Sequence, residues 1–322
     1  MRDMADLFFG YHMPNYTFSG ARGGEIFDRF VEQATAAEAA GFDMVTVMDH
    51  FYQIRGVGPE TEPMMEAYTT LGAIAARTSR VKLATMVTGV TYRNPALLAK
   101  MATTLDVISK GRAVFGIGAA WNDSEHAGYG FEFPPIGERE DRLEEAVTIA
   151  KLMFTQDRPS FEGKHYRIDR ALNVPRPVQP GGPKIMIGGG GEKRTLRILA
   201  KHGDMGHLFG GPIDVLKHKR DVFLNHCETE GRDPSTVRLL VGTLAILVEN
   251  TRDAKAQLDK IPEERRAMVV VATPTEVADR LQPLIDAGFG GFTLSNQTLP
   301  TKDAIALGGE LIKLLSGARS AA

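Results

Sequence analysis

Eight short apolar runs alternate with eight longer amphipathic stretches along the chain, and this alternation limits the possible folds more than any other feature. The apolar runs are 7–13, 42–48, 81–90, 112–118, 184–188, 203–209, 237–248 and 291–296. The amphipathic stretches that follow them are 25–40, 64–78, 95–109, 138–154, 192–202, 214–231, 274–288 and 302–316. Strands that alternate with helices indicate an α/β fold with a parallel sheet. Eight such pairs in 322 residues predict a closed (β/α)8 TIM barrel with insertions, and a doubly wound open sheet is the competing arrangement.

Two stretches interrupt the alternation. Residues 157–183 are rich in proline, glycine and aromatic side chains, with a short hairpin predicted at 160–169. The second stretch, 249–272, is charged over most of its length. We expect one TIM-barrel domain over residues 1–322, with these two stretches as excursions from it.

The charge balance and the cysteine count exclude several classes of protein. The formal net charge is -2, which gives no basic surface for nucleic acid or an anionic membrane. Cys227 is the only cysteine, so neither an internal disulfide nor a cysteine-based zinc site can form. The first apolar run, 7–13, is too short for a signal sequence or a membrane span. We expect a cytoplasmic protein with no nucleic-acid or membrane partner.

The active site of such a barrel lies at the carboxyl ends of its strands, and that position selects His50 as the main acid/base candidate. Imidazole titrates near neutral pH, although a buried histidine bonded to backbone is the alternative. Asp49 lies on the opposite face of the strand and is not expected to orient the ring. His12 and His207 also follow strands, but the spacing lacks the pattern of a metal site, so we expect no metal.

The glycine run at 188–191 follows an apolar strand and precedes a helix. This geometry presents backbone N–H groups to an anion, and Lys193 and Arg194 add positive charge. The sequence matches neither the Walker A pattern nor the dinucleotide-binding fingerprint. A phosphate site is therefore one interpretation, and a tight turn packed against the barrel rim is the other.

Other strand ends supply apolar and aromatic side chains. Trp121, the only tryptophan, could stack on a planar ring or anchor its loop. Met13, Met86 and Val87 could form an apolar wall for a flat heterocycle, although methionine is also a common core residue.

These residues lie in segments that resemble the bacterial luciferase-like family of flavin- and deazaflavin-dependent oxidoreductases, most closely the branch that uses coenzyme F420. The resemblance covers nearly the whole chain and depends on FFGYHMPNY, AAGFDMVTVMDHF, VKLATMVTGVTYRNPALLAKMATTLDVISKGRAVFGIGAAW and IMIGGGGEKRTLRILAKHGD. It implies the same barrel fold and a homodimer.

The resemblance also implies site roles. The Asp49–His50–Phe51 segment lies in the cofactor pocket, with His50 near the reacting carbon, and a non-prolyl cis peptide at Met86–Val87 supports the tricyclic ring. The glycine run holds the cofactor phosphate. We therefore expect His50 to be catalytic. The expected cofactor-binding residues are Asp49, Met86, Val87, Thr88, Gly118, Trp121, Gly189, Gly190, Gly191, Glu192 and Lys193.

The implied activity is hydride transfer between the F420 deazaflavin and a small organic substrate. An FMN-dependent monooxygenase of the same family and a non-catalytic flavin-binding protein are the alternatives. One departure concerns the substrate, because the sugar-phosphate branch carries a proton-transferring glutamate in the loop after the fourth strand, where this chain has Trp121. Glucose 6-phosphate is therefore not expected, and the pocket is expected to be aromatic, from Tyr16, Phe51, Trp121 and Phe209.

Overall fold

The computed structural model describes residues 7–259, 261, 263–266 and 269–317. The two ends of the expected domain, 1–6 and 318–322, lie outside the described residues. So do residues 260, 262, 267 and 268 of the second expected excursion.

Eight parallel strands form the centre of the fold, and we number them β1 to β8 in chain order. They are β1 (Phe8–Met13), β2 (Met44–Val47), β3 (Lys82–Thr85, continued by Thr88–Gly89), β4 (Val114–Gly118), β5 (Lys184–Gly188), β6 (Met205–Leu208), β7 (Arg238–Gly242) and β8 (Gly291–Ser295). The helices that follow each strand are numbered likewise. They are α1 (Gly24–Ala40), α2 (Ala67–Ala75), α3 (Pro95–Ile108), α4 (Ile136–Thr155), α5 (Thr195–His202), α6 (Ile213–Thr229), α7 (Pro274–Asp286) and α8 (Lys302–Gly317).

The sheet closes on itself. Strand β1 pairs with β2 on one side and with β8 on the other, where Phe9 is opposite Phe292. Strands β3 and β4 are joined by a parallel bridge between Leu83 and Ala113 and by further pairing above it. The expected (β/α)8 barrel is thus confirmed, and the open doubly wound sheet is excluded.

Local signals in the sequence place several helix ends. Asn94 caps α3 by accepting the amide of Ala96, and Pro95 occupies the first turn, where no amide is needed. Thr273 and Glu276 form a reciprocal capping box at the start of α7. Gly41 ends α1 in the left-handed conformation at φ 101°, which favours glycine.

The lower part of the barrel interior is apolar. Inward-facing side chains of seven strands form one buried cluster, with Met86 and Val87 packed against it. The cluster consists of Phe8, Met44, Ala84, Val114, Met186, Met205 and Leu240. A larger core between the strands and the helices surrounds the barrel.

The structure differs from the expected elements at two strands. The run 81–90 is interrupted at Met86–Val87, where the peptide is cis, as the resemblance implies. The run 237–248 is also divided, because β7 ends at Gly242 and Ala245–Leu247 pairs with Val270–Ala272 in a separate parallel sheet. This small sheet is separate from the barrel, and both of its strands precede α7.

The connecting segments contain further short elements. The predicted hairpin in the first excursion is present, with Phe161–Glu162 paired to Arg167–Ile168. The loop after β4 contains a helix that the sequence did not predict, Asp123–Tyr129. Within the part of the chain that the structure describes, no helix is both long and apolar enough to cross a membrane.

Candidate active site

His50 lies just after β2, at the carboxyl end of the barrel, and is held by a carboxylate. Its Nδ1 is 2.6 Å from Oε2 of Glu125, a residue of the Asp123–Tyr129 helix. The Glu125 side chain is fully buried, whereas 12% of the His50 side chain is exposed. An ionised carboxylate can only accept hydrogen bonds, so Nδ1 is the donor. In the neutral ring, Nε2 then carries the lone pair and is free to act as a base.

Glu125 is well suited to remain ionised. Its Oε1 accepts the amides of Phe51 and of Tyr52, the latter at 3.0 Å, and its Oε2 accepts the Tyr92 hydroxyl at 2.9 Å. Burial alone raises the pKa of the Glu125 carboxyl, but the His50 ring and the two amides outweigh it and hold this pKa below its ordinary value. The His50–Glu125 pair is therefore a fixed base with a negative partner.

Asp49 points away from the His50 ring, as expected, into a buried ion pair. Arg93 donates from Nη1 to Oδ2 at 2.6 Å and from Nη2 to Oδ1 at 3.0 Å. The same guanidinium reaches Glu66 at 2.6 Å. Asp49 is only 1% exposed, so both its oxygens are committed to holding this wall of the site. Its expected contact with a cofactor stays a prediction.

His12 and His207 also reach the barrel mouth. Nδ1 of His12 lies 2.9 Å from the Thr46 hydroxyl, and Nε2 of His207 lies 2.9 Å from the Thr293 hydroxyl. Burial is the main cause that lowers the pKa of both, to about 3 for His12 and about 4 for His207. The charges of His207 and His50 lower the pKa of His12 further. Among the described residues, no cluster of side chains is suited to hold a metal ion.

The cis peptide places Val87 against the neighbouring strands. A Cβ built on Gly188 would lie 2.6 Å from Val87 Cγ2, and one on Gly118 would lie 2.9 Å from the same atom. These contacts are too close for any side chain, so glycine is required at both positions. The expected cofactor residues Met86 and Val87 are half-buried at the mouth, whereas the Thr88 hydroxyl turns into the wall and bonds Thr85.

The glycine run forms the turn between β5 and α5. Gly189 has φ 121° and donates its amide to the His207 carbonyl. Gly190 differs, because a Cβ there would meet only Leu208 and Lys219 at 3.7 Å or more. Packing does not require glycine at that position. Among the described residues, no carbonyl accepts the amides of Gly190, Gly191 or Glu192, so the backbone can approach and bind an anion.

Some of the charged side chains beside this turn already form ion pairs within the protein. Glu192 Oε1 lies 2.6 Å from Lys219 Nζ and 3.2 Å from His218 Nε2, and the Glu192 carbonyl accepts from His226. Lys193 is exposed. Arg194, which the sequence suggested as a neighbouring positive charge, instead pairs with Asp141.

The aromatic side chains expected in the pocket divide into two groups. Trp121 is 56% exposed and packs edge-on over His50 with 5.4 Å between ring centroids, and Phe209 is 76% exposed beside His207. Tyr16 is instead fully buried and stacks on Phe30. Phe51 packs among aromatic rings behind the site. Tyr16 therefore does not line the pocket, because the loop after β1 folds it into the core.

Sequence reasoning missed the groups that hold His50 and Asp49, namely Glu125, Tyr92, Arg93 and Glu66. Glu125 belongs to a helix that periodicity did not reveal, although it follows a strand end within seven residues of Gly118. Its neighbour His126 is 1% exposed and bonds Thr91 and the Asn122 carbonyl. Met13, expected in the pocket wall, is also buried in the core.

The sequence matches a known family over most of its length. A model of the luciferase-like monooxygenase family covers residues 8–269. The chain belongs to this family. It is 32% identical over 293 residues to an F420-dependent glucose-6-phosphate dehydrogenase of Kineococcus radiotolerans, covering 81% of this chain and 85% of that protein. A protein of the same name from Amycolatopsis mediterranei is 37% identical over 286 residues, covering 80% of this chain and 85% of that protein.

Solved structures of luciferase-like fold confirm the architecture. An F420-dependent secondary alcohol dehydrogenase, in complex with an F420-acetone adduct, superposes with a TM-score of 0.78 at 22% identity, over 96% of this chain and 99% of that chain. A long-chain alkane monooxygenase gives 0.81 at 18% identity, over 99% and 92%. At these identities the likeness concerns the fold, which the luciferase-like family shares across different chemistries.

Proposed function

We propose that this protein is a coenzyme F420-dependent oxidoreductase that transfers a hydride between the deazaflavin and a small organic substrate. The observation that carries the proposal is the His50–Glu125 pair at the barrel mouth, in a chain similar over four-fifths of its length to proteins named as F420-dependent dehydrogenases. The homodimer and the single domain over 1–322 are part of the same proposal.

The residues at the mouth fit a flat anionic coenzyme. The amides of Gly190, Gly191 and Glu192, which no carbonyl of the described residues accepts, would hold its phosphate, with Lys193 nearby. The half-buried Met86–Val87 segment would support one face of the ring, and Trp121 is exposed on the rim of the same opening. Asp49, Thr88 and Gly118 would support the coenzyme indirectly, by forming the wall of the site. Their side chains or Cβ positions face protein.

The coenzyme, when bound, supplies the carbon that gives or accepts the hydride. The protein supplies orientation and the proton. His50 Nε2 takes a proton from the substrate, or returns it in the opposite direction, while Glu125 stabilises the imidazolium that forms. The buried Asp49–Arg93 pair fixes the segment that carries His50 and keeps its position constant.

Titration of the apoprotein with F420 and with FMN tests the cofactor. We expect F420 to bind at least tenfold more tightly, measured by quenching of its fluorescence. Tighter FMN binding with oxygen consumption would instead support the monooxygenase alternative. Binding of F420 without turnover of any alcohol or carbonyl compound in a broad panel would favour the non-catalytic protein.

Variants of the His50–Glu125 pair test the mechanism. His50→Ala is expected to leave F420 affinity within about threefold but to lower kcat about 100-fold or more, the usual loss for a general acid or base. Glu125→Gln keeps the shape but removes the negative partner of the imidazolium, so kcat falls. Glu145→Gln is the matched control, since Glu145 also accepts backbone amides but does not contact His50. Unchanged turnover in His50→Ala would contradict the role of His50.

A further inference from the structure

A layer of polar side chains lies above the apolar barrel interior. These side chains carry no formal charge when the two histidines among them are neutral. The layer consists of His12, Thr46, His207, Thr293 and Ser295, which we call the neutral layer. Strand register places His12 opposite Thr46 on one side and opposite Ser295 on the other. Across the barrel interior, His207 of β6 bonds Thr293 of β8. Strands β1, β2, β6 and β8 therefore present imidazoles and hydroxyls over two adjacent levels, since Thr293 is opposite Gly10 and Ser295 is opposite His12.

Part of this layer has no protein partner. The structure pairs only Nδ1 of His12 and only Nε2 of His207, so one ring nitrogen of each is unbonded among the described residues. The Ser295 hydroxyl is buried and also lacks a partner there. A buried polar group without a partner costs free energy, which a ligand oxygen in contact with it would recover.

Positive charge is arranged at the opposite end of the barrel. The lysine and arginine residues of the eight strands, Lys82, Lys184 and Arg238, are each the first residue of their strand. The arginine that does reach the site wall, Arg93, is matched by two carboxylates, Asp49 and Glu66. A phosphate or carboxylate on a substrate in the neutral layer would meet no compensating strand charge, and burying it unpaired is costly.

We propose that the substrate of this enzyme is an uncharged alcohol or the matching carbonyl compound, whose oxygen-bearing end is bound by His12, His207 and Ser295. This inference rests on the proposed function. In the oxidative direction the carbinol carbon loses a hydride to the oxidised coenzyme, the hydroxyl proton passes to His50, and the carbonyl is released. The reverse reaction returns both. The chain thus differs in substrate class from its phosphosugar-named relatives.

Paired probes of similar shape test the substrate class. The protein is first loaded with F420, followed by fluorescence quenching. Saturation-transfer NMR then compares cyclohexanol and cyclohexanone with cyclohexyl phosphate. We expect signal from the two neutral probes, at least fivefold weaker signal from the phosphate, and no displacement by equimolar glucose 6-phosphate.

Variants connect the signal to the neutral layer. His12→Leu and the milder Ser295→Ala should each weaken neutral-probe binding at least threefold while the F420 dissociation constant changes less than threefold. Ser235→Ala, on the exposed surface before the start of β7, is the matched control for Ser295→Ala.

Three results would overturn the inference. They are a preference for cyclohexyl phosphate, no signal from the neutral probes, or a neutral-probe signal in both variants equal to that of the wild type. A tenfold loss of F420 affinity in His12→Leu would also overturn it, because the layer would then serve the coenzyme. Failure to load F420 at all would overturn the proposed function, and this inference with it.

Discussion

At the scale of single residues, Glu125 shows what a sequence reveals and what it conceals. His50 could be predicted because one rule, the position of a strand's carboxyl end, selects it. Glu125 lies 75 residues further along and reaches His50 only through the closed barrel. No spacing rule connects the two, so the position of His50 at the barrel mouth could be predicted and its carboxylate partner could not.

The same residue changes the reasoning about the substrate. Glucose 6-phosphate was not expected because Trp121 occupies the place of a glutamate in the loop after β4. The structure shows that this loop does carry a buried glutamate, four residues further on, in contact with His50. The case against a phosphorylated substrate now depends instead on the neutral layer, where no positive strand residue would compensate the charge of a phosphate.

His207 predicts a pH dependence of stability. Its pKa is lowered by burial to about 4 in the folded protein, against 6.5 as the ordinary value. Between these values the unfolded chain binds a proton that the folded chain does not, so stability falls as the pH decreases from about 6.5 to 4. The expected slope from this one group is about 1.4 kcal/mol per pH unit. His207→Gln cannot titrate and should reduce the slope by about that amount, measured by urea denaturation at stepped pH.

Asn225, which is exposed on α6 and does not titrate, provides the control for this experiment. Asn225→Gln should leave the slope unchanged. If His207→Gln showed the wild-type slope across the same range, His207 would not be the neutral, buried group that the barrel mouth requires.

At the scale of elements, periodicity predicted the regular helices well and the irregular segments poorly. The strands β1, β4 and β5 and the helices α1 and α3 agree with their sequence patterns to within two residues. The Asp123–Tyr129 helix was missed because seven residues give too little periodic signal. The break in β3 could not be read from a continuous apolar run, and only the resemblance indicated it.

Two glycine substitutions compare a constrained element with a free one. Gly188→Ala should lower the free energy of unfolding by about 1–3 kcal/mol, because the new Cβ would lie 2.6 Å from Val87. Gly72→Ala should raise it by about 0.5–1 kcal/mol, because Gly72 is inside α2 with nothing within 4 Å of its Cβ. Urea denaturation of the apoprotein measures both. Equal stability of the two variants would show that Val87 is not packed against β5.

At the scale of the whole molecule, the alternation of strands and helices predicted the barrel but not how it closes. Closure depends on pairs far apart in the chain, such as Phe9 with Phe292 and Leu83 with Ala113. It also brings α8 against α1, where a Cβ on Gly309 would lie 2.6 Å from the Ala40 carbonyl oxygen. The described ends of the chain thus stabilise each other, which supports the proposed single domain.

A single domain of this kind should unfold in one transition. Gly309→Ala disturbs only the contact between α1 and α8, and we expect it to lower the free energy of unfolding by about 1–3 kcal/mol. Because Trp121 is the only tryptophan and lies at the barrel mouth, its fluorescence reports a distant part of the molecule. Fluorescence and far-UV circular dichroism should therefore give the same, equally lowered midpoint, while Gly24→Ala, with open space around its Cβ, lowers neither. A change in the circular dichroism midpoint without one in Trp121 fluorescence would show that the α1–α8 end unfolds separately, and the barrel would then consist of more than one cooperative unit.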